Sequence, residues 1–541
     1  MATHAVENQP PPLQDYNVFL SDRALVEAFE RCGGNAGDAE LVELGELAGR
    51  PETIELGFDA NEHPPQLRTH DRYGHRIDEV RFHPAWHALM RYATSYGLHA
   101  TPWQDARPHP HVRRAAKFFV WSQVESGHGC PISMTYAAIP ALRVQPGLAA
   151  IWEPALARTE YDPRLVPIAE KRAALCGMGM TEKQGGSDVR ANTTRAVPAG
   201  SSRGPGCEYL LTGHKWFCSA PMSDAFLVLA QTGAGLGCFL LPRVLADGTR
   251  NPFAIVRLKD KLGNRSNASG EIELDGSHAW LIGEEGRGVQ TIVEMVNHTR
   301  LDCIIGSAGL LRQALSQAIH HARYRRTFGA TLLEHPLMRN VLADLALESE
   351  AATALFMRVA RAIDDGDAAL RRIGTAVGKY YVCKRAPAVV GEALECLGGN
   401  GYVEESILPR LYREAPLNSI WEGSGNINAL DVLRVAAKQP EALEAMQREF
   451  ALGDGDRRIR EQAALLEREL TGSPDALEPR ARSIAERLAL LWQAALLVRY
   501  APADIAEAFV ASRLGTQSGR TLGTLPAGTD FGAILERAAS S

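Results

Sequence analysis

The spacing of apolar residues changes twice along this chain. From about residue 17 to residue 166 they recur at helical intervals, and residues 112–126 are predicted to form one amphipathic helix. Between residues 206 and 283 the pattern becomes short and alternating, and Ile272 and Leu274 alternate with glutamates. The runs with this pattern are EYLLTG, AFLVLAQT, GCFLLP, FAIVRL and EIELDG. They predict a small β domain after a helical one.

Beyond Gly288 the helical interval returns. Apolar residues between 301 and 319 keep to one face, which predicts a long helix. Further helices are predicted over 336–365, 368–397, 425–437 and, in an additional section, 440–513. The Gly-rich tail at 515–532 is predicted to be partly irregular.

This order of elements predicts a mainly α protein with a central β domain. A length of 541 residues supports several domains, because single hydrophobic cores rarely grow so large. We expect an N-terminal helical domain over 1–175, the β domain over 176–288, a helical-bundle domain over 289–439 and an additional helical region over 440–541.

Composition and charge exclude several classes of protein. Hydrophobic residues make up 45% and charged residues 23%, which is typical of a soluble globular protein. The net charge of -6 means that nucleic-acid binding would require a local basic face. The nine cysteines occur singly, without C-x-x-C pairs, so we expect no zinc ribbon, no disulfide framework and a reduced, cytoplasmic compartment. We also expect no signal peptide and no membrane-spanning segment.

Four short segments have residue types that suit cofactor binding. GMGMTEKQGGSD (177–188) lets backbone N–H groups approach a polar ring or a phosphate, although a polar interdomain turn explains the composition equally well. GHKWFCS (213–219) offers aromatic faces and a hydroxyl, or an ordinary core strand. RYRRTFG (323–329) contains arginines that suit phosphate, or a solvated helix end. The glycines of EALECLGGNGY (392–402) allow close approach at a helix end.

A glutamate is the candidate catalytic residue. Glu422 lies in SIWEGSGNIN (419–428), just before a predicted helix, and in a dry pocket its pKa would rise toward the range of a general base. The alternative is a helix N-terminal cap, the commoner role for a lone Glu in a Gly-Ser loop.

Taken together, these motifs resemble those of the acyl-CoA dehydrogenase superfamily, which implies FAD as cofactor. M-T-E-x-x-x-G-S-D resembles its flavin loop, with Lys183 in place of the usual proline. GHKWFCS resembles G-x-K-x-W-I-T-N, where by spacing Phe217 takes the stacking position and Trp216 is the alternative. The resemblance assigns to the isoalloxazine surroundings Met180, Thr181, Gly186, Ser187, Phe217, Cys218 and Ser219.

The resemblance also implies residues for the rest of the cofactor and for catalysis. Glu422 would abstract the α-proton of an acyl-CoA, because Thr299, at the alternative position before Arg300, is no acid. Glu395 stands where glutamine is usual. Arg325, Thr327 and Phe328 would reach the FAD diphosphate and adenine from a neighbouring subunit. The other implied FAD contacts are Gly399, Trp421, Ser424 and Asn426.

Several stretches resemble the AidB-like branch of this superfamily in particular, among them RFHPAWHALM, CPISMTYAA and RLKDKLGNRSNAS. That resemblance implies a homotetramer with weak acyl-CoA dehydrogenase activity that binds double-stranded DNA and protects it from alkylation. A metabolic acyl-CoA dehydrogenase and a flavin oxidase or monooxygenase remain alternatives. A nicotinamide dehydrogenase is disfavoured, because no G-x-G-x-x-G follows a strand, and no metal-ligand spacing occurs.

Charge does not carry the DNA hypothesis. Residues 441–541 contain 12 Arg, no Lys and 15 acidic residues. Two arginine clusters lie there, Arg457, Arg458 and Arg460, and Arg480, Arg482 and Arg487. They could form one basic face or a solvated, salt-bridged surface.

Overall fold

A computed structural model describes residues 3–515 and 519–539. Its helices up to the β domain are α1 (Arg23–Arg31), α2 (Ala39–Ala48), α3 (Pro51–Glu62), α4 (Pro84–Ser95), α5 (Thr101–Gln104), α6 (Pro110–Ser122), α7 (Gly129–Leu142) and α8 (Pro146–Leu156). The strands are β1 (Gln66–His70), β2 (Arg76–Arg81), β3 (Cys176–Gly179), β4 (Arg195–Pro198), β5 (Glu208–Ser219), β6 (Ala225–Thr232), β7 (Gly235–Pro242), β8 (Phe253–Leu258), β9 (Ser269–Ile282), β10 (Arg326–Thr327) and β11 (Ala330–Thr331).

The remaining helices follow the β domain. They are α9 (Gly288–Tyr324), α10 (Pro336–Asp364), α11 (Ala368–Cys396), α12 (Gly399–Tyr402), α13 (Ile407–Glu414), α14 (Gly425–Lys438), α15 (Pro440–Ala451), α16 (Arg457–Leu470), α17 (Pro474–Leu477), α18 (Ala481–Tyr500), α19 (Ala503–Arg513) and α20 (Phe531–Ala538). The predicted fold class, mainly α with a central β domain, is confirmed.

The chain divides into two compact units. One comprises residues 1–54, 108–124 and 300–541, and the other comprises residues 55–107 and 125–299. The four-domain division expected from the sequence stays a prediction. In the predicted irregular tail, α20 begins at Phe531, and residues 516–518 lie outside the described residues.

The second unit contains a small closed barrel. Strand β6 pairs with β4 and β7, and the ring continues from β4 through β5 and β9 back to β7. Strand β3 adds to β6 in parallel, and β8 adds to β9. Alternation in the sequence places one side of each strand inside, where Tyr209, Phe226, Phe239, Ile272 and Leu274 form part of the core. Closure leaves few open edges.

One element differs from the helical expectation for residues 17–166. Residues 66–81 form the antiparallel hairpin β1–β2, which turns through Asp71 and Gly74. Its strands carry mostly polar side chains, with Val80 packed against the barrel core, so hydrophobic spacing gave little sign of it.

The first unit is built mainly from long helices. Helix α11 packs against α10 on one side and α14 on another, all three contact α18, and α15 packs on α11. Apolar residues at helical spacing are buried along each of them, Leu345, Leu355, Val382 and Val432 among them. None of the helices formed by the described residues is long and apolar enough to cross a membrane.

Candidate active site and cofactor surfaces

Glu422 occupies a strained backbone position at the start of α14. Its φ is 58°, and Gly423, which follows, has a φ of 99°. A non-glycine residue in this left-handed region costs about 1–2 kcal/mol, so the surrounding contacts must hold it there. Glu422 is half-buried.

Three side chains of the same unit hold the backbone around Glu422. Arg300 Nε donates to the Glu422 carbonyl at 2.9 Å. The Lys379 ammonium donates to the carbonyl oxygens of Asn418 and, at 2.9 Å, Trp421. Asn428 Nδ2 donates to the Ser424 carbonyl at 3.1 Å. The carboxylate of Glu422 is therefore presented by a loop whose carbonyls are bound on both sides.

Arg300 is itself fixed by Asp431. Arg300 Nη1 lies 2.9 Å from Asp431 Oδ2, and Arg372 Nη2 lies 2.7 Å from Oδ1. Burial alone would raise the pKa of Asp431, but the hydrogen bonds from Arg372 and the charge of Arg300 lower it. The carboxylate therefore stays ionised and orients the arginine that binds the Glu422 carbonyl.

The first turn of α14 gathers positive charge. Ser424 is the N-cap residue of α14, and its side chain makes no hydrogen bond to the helix. Ser424 and Asn426 are both exposed, and the family resemblance assigns both of them to FAD. Arg482 Nη2 and Lys384 Nζ lie 3.7 Å and 3.9 Å from the point that a Cβ on Gly425 would occupy. Two cations at a helix N-terminus suit a phosphate group. Sequence reasoning did not assign Lys384 or Arg482 to a cofactor, because they lie far from this loop along the chain.

The R-x-x-F-G segment forms the tip of the β10–β11 hairpin. Phe328 has a φ of 50° and is 99% exposed. Thr327 lies against His335, whose Nε2 is 3.0 Å from the Thr327 carbonyl. Arg325 Nη1 donates to the Asn8 carbonyl at 2.7 Å. The tip thus presents an aromatic ring to the outside on a strained residue.

The N-terminal segment connects this hairpin with the glycine-rich end of α11. Asn8 Nδ2 donates to the Arg326 carbonyl at 2.8 Å, and Gln9 Oε1 accepts from Asn400 Nδ2 at 3.1 Å. Gly399 is exposed beside Asn400, and Glu395 is exposed near the end of α11. The structure therefore brings two of the predicted FAD segments to one surface through residues that the motifs did not indicate.

In the second unit, the loop 180–187 is bound to the barrel. Trp216 N donates to the Thr181 carbonyl at 2.8 Å, and Asn192 Nδ2 donates to the Met180 carbonyl at 2.8 Å. Gly186 approaches Thr181 so closely that a Cβ would lie 2.3 Å from its Oγ1. Met180 and Thr181 are half-buried, whereas Gly186 and Ser187 are exposed.

A β-bulge determines which aromatic residue of β5 is available. Lys215 pairs with Ile272 and Cys218 pairs with Gly270, so two residues, Trp216 and Phe217, face one residue of β9. Both therefore point away from the barrel core. The Trp216 ring carries Lys259 Nζ at 3.4 Å from its centroid, whereas Phe217 is 50% exposed. Phe217, preferred from spacing, is the more open of the two faces.

The bulge also determines how far the next two residues are buried. Cys218 is fully buried in the barrel core, so any contact of this residue with a cofactor could come only from its backbone. Ser219 is half-buried at the end of β5.

Thr299, at the alternative base position, is buried and donates to the Val296 carbonyl at 3.1 Å.

The two arginine clusters of the C-terminal region are largely used within the fold. Arg458 lies 2.6 Å from both Asp456 and Glu507, and Arg457 lies 3.5 Å from Glu461. Arg480 and Arg487 share Glu469. Arg460 donates to the Asp454 carbonyl, and Arg482 lies at α14. Most of these arginines thus have an acidic or carbonyl partner in their own unit.

Three family profiles match successive parts of the chain. "Adaptive response protein AidB N-terminal domain" matches residues 8–163, "Acyl-CoA dehydrogenase, middle domain" matches 177–277 and "Acyl-CoA dehydrogenase, C-terminal domain" matches 286–437. The matched ranges contain every predicted site residue.

Whole-length relatives agree with these profiles. AidB of Escherichia coli (strain K12) is 48% identical over 524 residues, which cover 96% of this chain and 95% of the relative. Acyl-CoA dehydrogenase family member 11 of Caenorhabditis elegans is 34% identical over 75% of this chain and 68% of its own length.

Two solved structures are similar over most of their length. The crystal structure of Caenorhabditis elegans ACDH-11 in complex with C11-CoA has a TM-score of 0.84 at 27% identity, and covers 97% of this chain and 96% of its own. The apo-form of Bd2924 has a TM-score of 0.83 at 30% identity, and covers 91% and 99%. FAD is the cofactor that these relationships imply. The chain belongs to the acyl-CoA dehydrogenase family and, within it, to the AidB-like proteins.

Proposed function

We propose that this protein oxidises an acyl-CoA thioester to the trans-2-enoyl product, with Glu422 as the base that removes the α-proton. The observation that carries the proposal is the strained, left-handed Glu422 held by Arg300 and Lys379. Strained backbone positions cluster at active sites, where they fix the orientation of a functional side chain. The complex of ACDH-11 with C11-CoA supports a thioester as the class of ligand.

Residues of each unit, taken by itself, fit a part of FAD. The exposed Phe217 ring and the hydroxyls of Thr181, Ser187 and Ser219 suit a polar aromatic ring system. The N-terminus of α14, with Lys384 and Arg482, suits a diphosphate. Arg325, Thr327 and the exposed Phe328 are the proposed contacts from a neighbouring subunit. The other proposed contacts are Met180, Gly186, Cys218, Gly399, Trp421, Ser424 and Asn426.

The chain's own groups perform the proton chemistry. The Glu422 carboxylate takes the α-proton, and the electron pair of that C–H bond becomes part of the new double bond. Bound FAD would supply the acceptor for the hydride of the β-carbon. The backbone N–H of Glu422 is the proposed donor to the thioester carbonyl, where negative charge develops. Because the loop is held before substrate arrives, the base needs no rearrangement.

Glu422→Gln tests the assignment. The variant retains the shape of the side chain but cannot take a proton, so we expect it to bind FAD and to lose bleaching of the flavin absorbance by acyl-CoA. Anaerobic titration with acyl-CoAs of several lengths, C11-CoA first, measures this. Bleaching of the variant at the wild-type rate would remove Glu422 from the mechanism. A protein that binds no FAD would overturn the proposal as a whole.

We also propose that the protein binds double-stranded DNA and protects it from alkylation, with the weak dehydrogenase activity that the AidB-like resemblance implies. The 48% identity to AidB across 96% of the chain supports this proposal. The charge of the C-terminal region does not support DNA binding, because most of its arginines have partners within the fold. A gel shift with duplex DNA at about 50 mM salt, where phosphate contacts are strongest, decides it. No shift there would end the DNA hypothesis and leave the dehydrogenase proposal intact.

A cytoplasmic homotetramer is the assembly we propose. The large side chains of Phe328, Leu337 and Tyr402 are between 80% and 99% exposed, and an interface between subunits would cover them. Light scattering on the full chain, compared with Phe328→Ser, measures the mass. A monomer at micromolar concentration would contradict the assembly.

A further inference from the structure

An ion pair is enclosed within the β domain next to the loop 180–187. Lys215 Nζ lies 2.8 Å from Glu182 Oε1, and both side chains are 0% exposed. Glu182 belongs to the loop, and Lys215 belongs to β5, two residues before Phe217. Because neither side chain reaches the surface, neither can contact a ligand bound outside.

The pair joins four segments of the domain. Glu182 also accepts from Thr193 N at 2.6 Å, Thr194 N at 3.2 Å and Gln184 Nε2 at 2.8 Å. Lys215 Nζ also donates to the Leu229 carbonyl on β6 at 2.7 Å. Burial alone would raise the pKa of Glu182, but Lys215 and the other donors lower it to about 2. The carboxylate is therefore an anion throughout the range in which the protein works.

Hydrogen bonds on both sides of the ion pair fix the register of the loop 180–187 against β5. Trp216 N donates to the Thr181 carbonyl at 2.8 Å, and Lys183 N donates to His214 Nε2 at 3.0 Å. The residues that flank Glu182 are thus bound to those that flank Lys215. A slip of the loop by one residue would leave a buried charge without its partner, which is far less favourable than a slip between apolar side chains.

We propose that the Glu182–Lys215 pair is a positioning device that holds the loop 180–187 in its cofactor-binding conformation before FAD arrives. Thr181 and Ser187 are thereby placed relative to Phe217 without any contribution from the cofactor. The inference rests on the proposed binding of FAD by this loop. It makes FAD affinity depend on two side chains that FAD never touches.

Single and double substitutions separate positioning from stability. Glu182→Gln and Lys215→Met each leave one buried charge without its counter-charge, so both destabilise the domain. The double variant Glu182→Gln/Lys215→Met removes both charges and recovers stability, but no longer specifies the register of the loop. We expect its FAD affinity to stay about tenfold or more below that of the wild type.

A matched control lies in the same unit. Lys171 Nζ is 3.0 Å from Asp224 Oδ1, with side chains 1% and 9% exposed. The double variant Asp224→Asn/Lys171→Met removes a buried lysine–carboxylate pair that makes no hydrogen bond to the loop 180–187 among the described contacts. We expect its FAD affinity to remain within about threefold of the wild type.

The experiment uses the full-length protein after removal of FAD. Fluorescence titration with FAD gives the affinity, and hydrogen exchange without FAD reports the amides of Lys183 and Trp216. We expect both amides to exchange faster in the Glu182/Lys215 double variant than in the control. Wild-type affinity with unchanged exchange in that variant would overturn the inference. If the wild type binds no FAD, the proposed function and this inference both fail. If the wild type binds FAD and the Glu182/Lys215 double variant binds it equally tightly, only this inference fails.

Discussion

Lys379→Met tests how the loop that carries Glu422 is held. Lys379 is 1% exposed and its ammonium donates to the carbonyls of Asn418 and Trp421, the second of which immediately precedes Glu422. Methionine has nearly the same length and keeps the apolar contacts of the stem, but cannot donate. The substitution therefore removes the two hydrogen bonds and the buried charge but keeps the packing.

The structure sets the expected magnitude. A hydrogen bond to a charged group contributes about 1.5–3 kcal/mol, so two of them contribute roughly 3–6 kcal/mol. Relief from burying the ammonium offsets part of this, and a net loss of about 2–4 kcal/mol in the free energy of unfolding is expected. Since the Trp421 carbonyl shares a peptide unit with Glu422, displacement of the base by about 1 Å would slow flavin bleaching by up to about 100-fold.

Urea unfolding and anaerobic bleaching with acyl-CoA measure the two effects. Lys438→Met is the matched control, because Lys438 is exposed at the other end of α14. If Lys379→Met is as stable as the control to within about 0.5 kcal/mol, the two hydrogen bonds do not hold the loop. If stability falls and bleaching is unchanged, Lys379 is structural only.

Two further outcomes follow from charged groups. Arg482→Ala and Lys384→Ala should each weaken FAD binding by about three- to tenfold, because each removes a partner of the phosphate. Arg499→Ala, at an exposed position in α18, is the control. If the variants bind FAD as tightly as this control, neither Arg482 nor Lys384 belongs to the cofactor site. Burial raises the pKa of Asp224 to about 6 against its ordinary value near 3.8. The folded state then binds this proton more tightly than the unfolded state, so the contribution of Asp224 to stability is complete below about pH 4 and is lost as the pH rises through 6. Between pH 5 and 7.5 the wild type should lose about 1.4 kcal/mol relative to Asp224→Asn in urea unfolding, and parallel stability profiles would contradict the assignment.

Much of the fold follows from local patterns. Each of the five alternating runs predicted as strands lies within one of β5 to β9, and the helices predicted over 336–365 and 368–397 match α10 and α11 to within a residue. Local spacing is sufficient there because each element buries one face, and that face sets the period of its apolar residues. Strands β3 and β4 have four residues each, too few for a period to show.

The candidate site was predictable only where its residues are contiguous. Glu422 and Phe217 are candidates from short motifs, because a motif contains both the functional side chain and the backbone on either side of it. Lys379 and Lys384 were not identified, since nothing near Glu422 along the chain indicates which distant lysine reaches its loop. The choice between Trp216 and Phe217 depended on a bulge, which is a property of strand pairing.

From the sequence alone came the mainly helical fold, the central β domain, the family and the candidate base, because periodicity and contiguous motifs are encoded within a few residues. Tertiary structure decided which charges meet. It placed Lys215 against Glu182, most C-terminal arginines against carboxylates, and Arg482 at α14. Composition could not separate a basic DNA-binding face from a solvated, salt-bridged surface, because the energy of a charge depends on its partner and its burial, which only the packed chain specifies.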